Sequence, residues 1–303
     1  MRSSFKTIAI LAAIPIAGLA AFFLWQWWNG GELPRETYEE AIHVGRASAR
    51  PQARPEARPE RAEARPHIEA TPLPKVTPKK RQRSGAGGDI VLIIDDLGFD
   101  GQPLDRLMAL DPNINASILP NGTRTAEFAR RLNARGFEIL CHLPMEPRGG
   151  ETPGRNAILT SMSDDEIARV TRENIQAVPH AVGVNNHMGS RATSDRRVMT
   201  SVLRAMPEEL YFIDSRTAAG SVAEDVAREL NVPTAARHVF LDDVATEGAV
   251  RRQVRELAEA AEKRGVAIGI GHPYPVTMRV LAEELPELRA RGFRLVRASE
   301  VVR

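Results

Sequence analysis

Two adjacent carboxylates, Asp95 and Asp96, end the unbroken apolar run Ile90-Val91-Leu92-Ile93-Ile94. A short, mostly β-branched run of this kind reads as a strand buried on both faces, as in a parallel sheet. Two acids at the end of a buried strand are costly to desolvate unless something compensates. A metal ion compensates and also gives the acids chemical work. The plainer alternative is a helix N-cap with a spare surface acid, since Asp is common there. Other apolar runs end in the same way. His142 follows 137–141, His187 closely follows 181–184, and His272 closely follows 266–270. Asp214 follows 210–213, and Asp242 with Asp243 follows 238–241. Histidine and carboxylate without cysteine suit Zn²⁺ or a similar divalent ion with positions open for water and substrate. Asp96, His142 and His187 would form its ligand set. Asp95 would then be the general base and His272 the general acid.

These residues share one rim only if strands and helices alternate, and the pattern from residue 89 onward does so. Strands are expected at 90–94, 114–119, 137–141, 181–184, 210–213, 238–241, 266–270 and 293–296. Helices are expected at 123–134, from a Ser163/Glu166 capping box to about 178, from Ser194, and from a Ser221/Glu224 box. Two more are expected at 246–263, closed by Gly265, and at 278–290. The alternation predicts an α/β fold with a distorted (β/α) barrel as its natural closure. In such folds the carboxyl ends of the strands share the edge where active sites sit. No Gly-rich phosphate loop, serine elbow or nucleotide fingerprint is present.

The chain has 303 residues and a formal net charge of +2, so overall charge does not mark it as a nucleic-acid binder. Its single cysteine, Cys141, excludes an intramolecular disulfide and a cysteine zinc finger. Residues 7–28 carry no charge, follow Arg2 and Lys6, and end in Trp25, Trp27 and Trp28. About 20 apolar residues span a bilayer, so residues 1–28 are expected to be a transmembrane signal anchor with its N-terminus inside. This places the folded domain on the periplasmic side of the inner (cytoplasmic) membrane. Cleavage after small residues such as Gly18 and Ala20 is the rival reading and would make the chain secreted. Residues 29–88 are Pro/Arg/Ala-rich, with the near-repeats 49–52, 53–56 and 57–60. They read as a disordered linker, a spacer reaching on the order of 100 Å. Its basic cluster at 79–83 could instead contact anionic lipid or wall polymer.

At the acid and histidine motifs the chain resembles the polysaccharide deacetylase superfamily (carbohydrate esterase family four), and more closely its divergent branch. The resemblance covers residues 89–303. It implies a distorted (β/α) barrel that holds a divalent metal, usually zinc, and removes acetyl groups from N-acetylated sugars. It makes Asp95 the base and Asp96 a metal ligand of an Asp-Asp-Gly motif, with Leu97 inserted before Gly98. The lead-in to His142 resembles the H-x-x-x-H motif, but Glu146 stands at its second histidine. Glu is a possible ligand there, and His187 could restore a second His from another strand. Tyr211-Phe212-Ile213-Asp214 echoes an aromatic-Asp element and adds Asp214 to the catalytic candidates. Gly271-His272-Pro273 replaces the leucine-x-His that carries the acid. The divergent branch is identified through IIDDLG, NNHMGSRAT and GIGHPYPVT.

Asn186, Ser190, Arg191, Arg216 and Tyr274 are the substrate-binding candidates. Arg191 and Arg216 would bind an anionic group or pair with Asp95, Asp214 or Asp242. Asp242 and Asp243 read as N-terminal charge for the following helix. Tyr274 and Met188 would line a sugar pocket or pack. Aromatic content of 5% favours a small or enclosed site over a long carbohydrate groove. The function expected is an envelope metal-dependent deacetylase-like hydrolase acting on an acetylated glycan. Its partners would be a glycan or cell-wall polymer and the membrane, with no nucleic acid. The alternatives are a non-catalytic glycan-binding or scaffold protein with the same barrel, and a different metallohydrolase such as an amidase or esterase.

Overall fold

The structure, a computed structural model, describes residues 87–303. The expected signal anchor and the linker up to residue 86 lie outside the described residues. Among the described residues no helix is long and apolar enough to cross a membrane.

Among the described residues, nine parallel strands form one sheet: β1 (Asp89–Leu97), β2 (Asn115–Ile118), β3 (Glu138–Met145), β4 (Ala181–Met188), β5 (Tyr211–Asp214), β6 (Thr234–Ala236), β7 (Val239–Phe240), β8 (Val266–Gly271) and β9 (Arg294–Leu295). Their order is β6-β5-β4-β3-β2-β1-β8-β7, with β9 on the lower part of β1. The sheet curls into a half-barrel. No ladder joins β6 to β7 among the described residues, so hydrogen bonds do not close the expected barrel. The helices are α1 (Leu104–Met108), α2 (Thr125–Ala134), α3 (Asp164–Ala177), α4 (Arg196–Ala205), α5 (Ala223–Glu229), α6 (Glu247–Arg264) and α7 (Pro275–Ala290).

Side chains of a strand alternate between its two faces, and both faces here are apolar. Val91, Ile93, Leu140, Tyr211, Ile213, Ile268 and Ile270 fill the concave face, and Val296, Ala298 and Val302 plug its floor. Ile90, Leu92, Ile94, Cys141, Phe212 and Leu241 lie on the convex face against the helices.

All eight expected strands are present, and the site strands run further than expected. β1 continues to Leu97, β3 to Met145 and β4 to Met188. The β3–β4 ladder stays in register through Met145 and Met188, so backbone pairing carries the strand past the point where side chains turn polar. The Ser163/Glu166 box and the Gly265 closure (φ 77°) are both observed. Several expected starts differ: α7 begins at Pro275 rather than 278, and α2 at Thr125 rather than 123. Asp195, not Ser194, caps α4 through the Val198 N–H. Ser221 and Glu224 form no box, because their side chains turn to Asp214 and to Arg216 and Arg228. The short elements α1 and β6 were not expected, being too brief to show periodicity.

Candidate functional site

Alternation along β1 sends Asp95 to the concave face with Val91 and Ile93, and would send Asp96 to the helices. A kink overrides this. Asp96 has φ 58°, and the β1–β2 register shifts between Ile94 and Leu97. Gln102 pins the turn: its Oε1 accepts from the Gly98 and Phe99 amides at 2.9 and 3.0 Å, and its Nε2 donates to the Asp96 carbonyl at 2.6 Å. Both carboxylates therefore reach one site.

Asp96 Oδ1 lies 3.1 Å from His142 Nε2 and 2.8 Å from His187 Nδ1, and the two ring nitrogens are 3.2 Å apart. This trio is the group among the described residues that could hold a metal ion. Asp96 Oδ1 is buried, and despite these short distances neither imidazole nitrogen meets it in hydrogen-bond geometry. Burial opposes its charge, yet His187, His142 and His272 hold the Asp96 carboxyl well below the usual carboxylate range. Asp95 Oδ2 stands 3.6 Å from His142 Nε2. Burial presses the His142 pKa down, but Asp95 and Asp96 outweigh it and raise the pKa.

His272 enters from β8 on the other side, with Nε2 3.7 Å from Asp96 Oδ2. Its Nδ1 lies 2.9 Å from Asp242 Oδ1, and its backbone N–H donates to Asp242 Oδ2 at 2.7 Å. Thr277 donates to the same oxygen at 2.7 Å. Gly271 leaves room for this contact, since a Cβ there would sit 3.2 Å from Asp242 Oδ2. Phe240 and Tyr274 flank the His272 ring, each with its centroid 5.4 Å away.

Asp95, Asp96, His142, His187 and His272 thus meet at one place. The other candidates are placed elsewhere or only alongside. Asp214 shares the outward parity of Phe212, so its carboxylate accepts from Ser221 Oγ and the Arg216 amide, away from the cluster. Burial pushes its pKa up. Asn186 is a brace: its Oδ1 accepts from the Ser215 amide, and its Nδ2 donates to the Met188 carbonyl. Ser190 Oγ accepts from the Arg148 amide. Arg191 faces Glu146 at 3.5 Å and Arg216 pairs with Glu224 at 3.0 Å, so neither side chain meets the acids expected for it. Tyr274 alone of this group borders the cluster.

Glu146 is not in the trio. Four residues along a strand span about 13 Å, and β3 stays extended past His142, so Glu146 is carried onward. There its Oε2 accepts from the Thr160 amide and hydroxyl, both at 2.6 Å. Asp242 corrects the opposite way. It is no spare helix charge but the buried partner of His272, while Asp243 is exposed.

Sequence reasoning missed Asn185, Ser117 and Ser215. Asn185 is fully buried, donates to Asp95 Oδ1 at 2.8 Å and approaches His142 Nδ1 at 2.9 Å. Its signal was present: Asn185 sits two residues before His187, on the same strand parity.

A family profile described as divergent polysaccharide deacetylase matches residues 92–302. This chain belongs to that family. Within it, similar chains include the uncharacterized protein YibQ of Escherichia coli K12, 36% identical over 216 residues, covering 71% of this chain and 67% of that one. An uncharacterized protein of Haemophilus influenzae is 36% identical over 210 residues, covering 68% of this chain and 74% of the other. The fold is that of an uncharacterized Agrobacterium tumefaciens C58 protein known from its crystal structure. That structure superposes with a TM-score of 0.70 at 22% identity, over 75% of this chain and 93% of its own. The divergent deacetylase fold thus carries here a partly buried acid–histidine cluster at the carboxyl ends of its strands.

Proposed function

We propose that this divergent deacetylase is a metal-dependent hydrolase of the cell envelope that removes acetyl groups from a glycan. The observation that carries this reading is the meeting of Asp96 Oδ1, His142 Nε2 and His187 Nδ1 between Asp95 and the Asp242-bound His272. The residues fit a divalent cation. A buried carboxylate oxygen crowded by two ring nitrogens without a well-formed hydrogen bond is a cost that a cation removes. Two imidazole nitrogens and one carboxylate are a donor set for Zn²⁺ or a similar ion with positions left open. Asp96, His142 and His187 would hold the ion, which when bound would acidify a water and polarise the acetyl carbonyl.

The protein's own groups supply the proton transfers. Asp95, held at Oδ1 by Asn185, takes the proton of the attacking water on Oδ2. His272 gives a proton from Nε2 to the departing amine or hydroxyl. Burial works against charge on this ring, but in the metal-free protein Asp242, Asp96 and Asp95 raise its pKa to about 9. Asp242 fixes the ring by accepting from Nδ1, which leaves Nε2 as the donor. Phe240 and Tyr274 form an apolar wall beside His272 against which a sugar face can lie.

The envelope location rests on the uncharged residues 7–28 and the Pro-rich stretch after them. In this proposal they tether the folded part on the periplasmic side within reach of glycan polymer. The test is acetate release from acetylated glycans by the full chain supplied with Zn²⁺. The wild type is expected to release acetate in a metal-dependent way. Asp95→Asn should lose about 10²–10⁴-fold in turnover while keeping its fold and metal content. Wild-type turnover by that variant would sink the reading. Stoichiometric binding of wall fragments with no acetate release would favour the non-catalytic scaffold.

A further inference from the structure

We propose that Asn185 is a positioning residue that sets two functional groups with one amide. It fixes His142 in the Nδ1–H tautomer, with Nε2 turned to the metal trio, and it holds Asp95 as an acceptor beside that trio. The metal arm of this inference stands on geometry. The Asp95 arm rests on the hydrolase reading above.

An asparagine side chain offers two N–H donors and two lone pairs on oxygen. All four are used here. Ser117 Oγ donates to Asn185 Oδ1 at 2.6 Å, and His142 Nδ1 lies 2.9 Å from the same oxygen. Asn185 Nδ2 donates to Asp95 Oδ1 at 2.8 Å and to Ser215 Oγ at 3.2 Å. The amide has only one workable orientation. Turned over, its oxygen would face the carboxylate of Asp95, acceptor against acceptor. Asp95 therefore decides which end of the amide points where, and the amide in turn decides where His142 carries its proton. With Nδ1–H bound to Oδ1, the lone pair of a neutral His142 sits on Nε2. That is the nitrogen 3.1 Å from Asp96 Oδ1 and 3.2 Å from His187 Nδ1.

The backbone holds this arrangement. Asn185 on β4 is paired with His142 on β3 and with Ile213 on β5, so its side chain stands between the strands it connects. It is 0% exposed, so water does not compete for these bonds. Outer partners of this kind orient metal-binding histidines and typically change affinity by about 10–100-fold when removed.

The test uses the full chain with ¹⁵N-labelled histidine, with the His142 signals identified by their loss in His142→Ala. In the Zn²⁺-loaded wild type the expected spectrum has a slowly exchanging proton on His142 Nδ1 and none on Nε2. A proton on Nε2 overturns the proposal without any further variant. Asn185→Leu should lose the protected Nδ1–H and bind Zn²⁺ about 10–100-fold more weakly in chelator competition. Asn185→Asp keeps an acceptor for His142 but sets a second carboxylate against Asp95. It should retain Zn²⁺ affinity while kcat for acetate release falls and KM stays unchanged. Unaltered Zn²⁺ affinity in Asn185→Leu, beside a wild type that binds Zn²⁺, overturns the metal arm alone. Wild-type kcat in Asn185→Asp overturns the Asp95 arm. A wild type that binds no divalent ion overturns the hydrolase reading together with this one.

Discussion

Asp214 and Asp242 hold matching places on opposite flanks of the sheet and do different work. Each comes at the end of an apolar stretch, and each is almost fully buried, at 1% and 3% exposure. Asp242 accepts from the His272 backbone amide and from Thr277, and its other oxygen lies against His272 Nδ1. Asp214 accepts from Ser221 and the Arg216 amide and closes a loop. The difference is one of parity. Asp214 follows the outward-facing Phe212 by two residues, whereas Asp242 follows Phe240, whose ring meets His272. A buried acid at a strand end is thus a site residue on one flank and a loop fastener on the other.

Variants at the centre of the site set the scale for this comparison. Asp96→Ala should remove the shared trio oxygen and lower Zn²⁺ affinity by well over about 100-fold, more than loss of an outer partner would cost. Chelator competition measures it, and wild-type affinity would mean that the trio is not the metal site. On the Asp242 flank, Asp242→Asn should cut turnover by about 10²–10³-fold, because His272 loses the acceptor that orients it. Metal content should stay at the wild-type level. A similar turnover loss in Asp214→Ala would erase the contrast between the flanks. The expected outcome for Asp214→Ala is instead normal turnover with a stability loss of about 1–3 kcal/mol, from the unpaired Ser221 and Arg216 groups. Urea titration reads this directly.

The smallest effect sharpens the comparison through pH. The folded-state pKa of His272 is raised to about 9 from the 6.5 of a free imidazole. A raised pKa adds stability that is fully present below the unfolded value and is lost as pH rises through the folded one. In metal-free protein the His272–Asp242 contact should therefore stabilise fully below about pH 6.5 and fade toward pH 9 and beyond. Asp214 is also raised, by burial, so its contribution is present at acid pH below the free carboxylate pKa. It is lost as pH rises through the folded value. Thermal melts should show Asp242→Asn flattening the alkaline slope and Asp214→Asn flattening the acid one. Interchanged slopes would contradict the assignment.

Much of the site was legible because its signals are local. Asp95, Asp96, His142, His187 and His272 each follow an apolar run, and together they were expected on one rim. Asn185 carries no mark of its role beyond its strand parity with His187, and Asp242 reads as helix charge, because an amide and a helix-entry acid have ordinary structural roles at such positions. Glu146 could not be read from the motif. Only the extended course of β3 carries it to Thr160.

By itself the sequence determined the strand–helix order, the family and the residue types of the acid–histidine cluster. These follow from hydrophobic periodicity and motif spacing, which are properties of neighbouring residues. Only the tertiary structure decided which acids face the concave side. Strands buried on both faces are apolar at every position, so their sequence carries no alternation to mark the inside. The left-handed turn that swings Asp96 beside Asp95 depends on the register with β2 and on the distant side chain of Gln102.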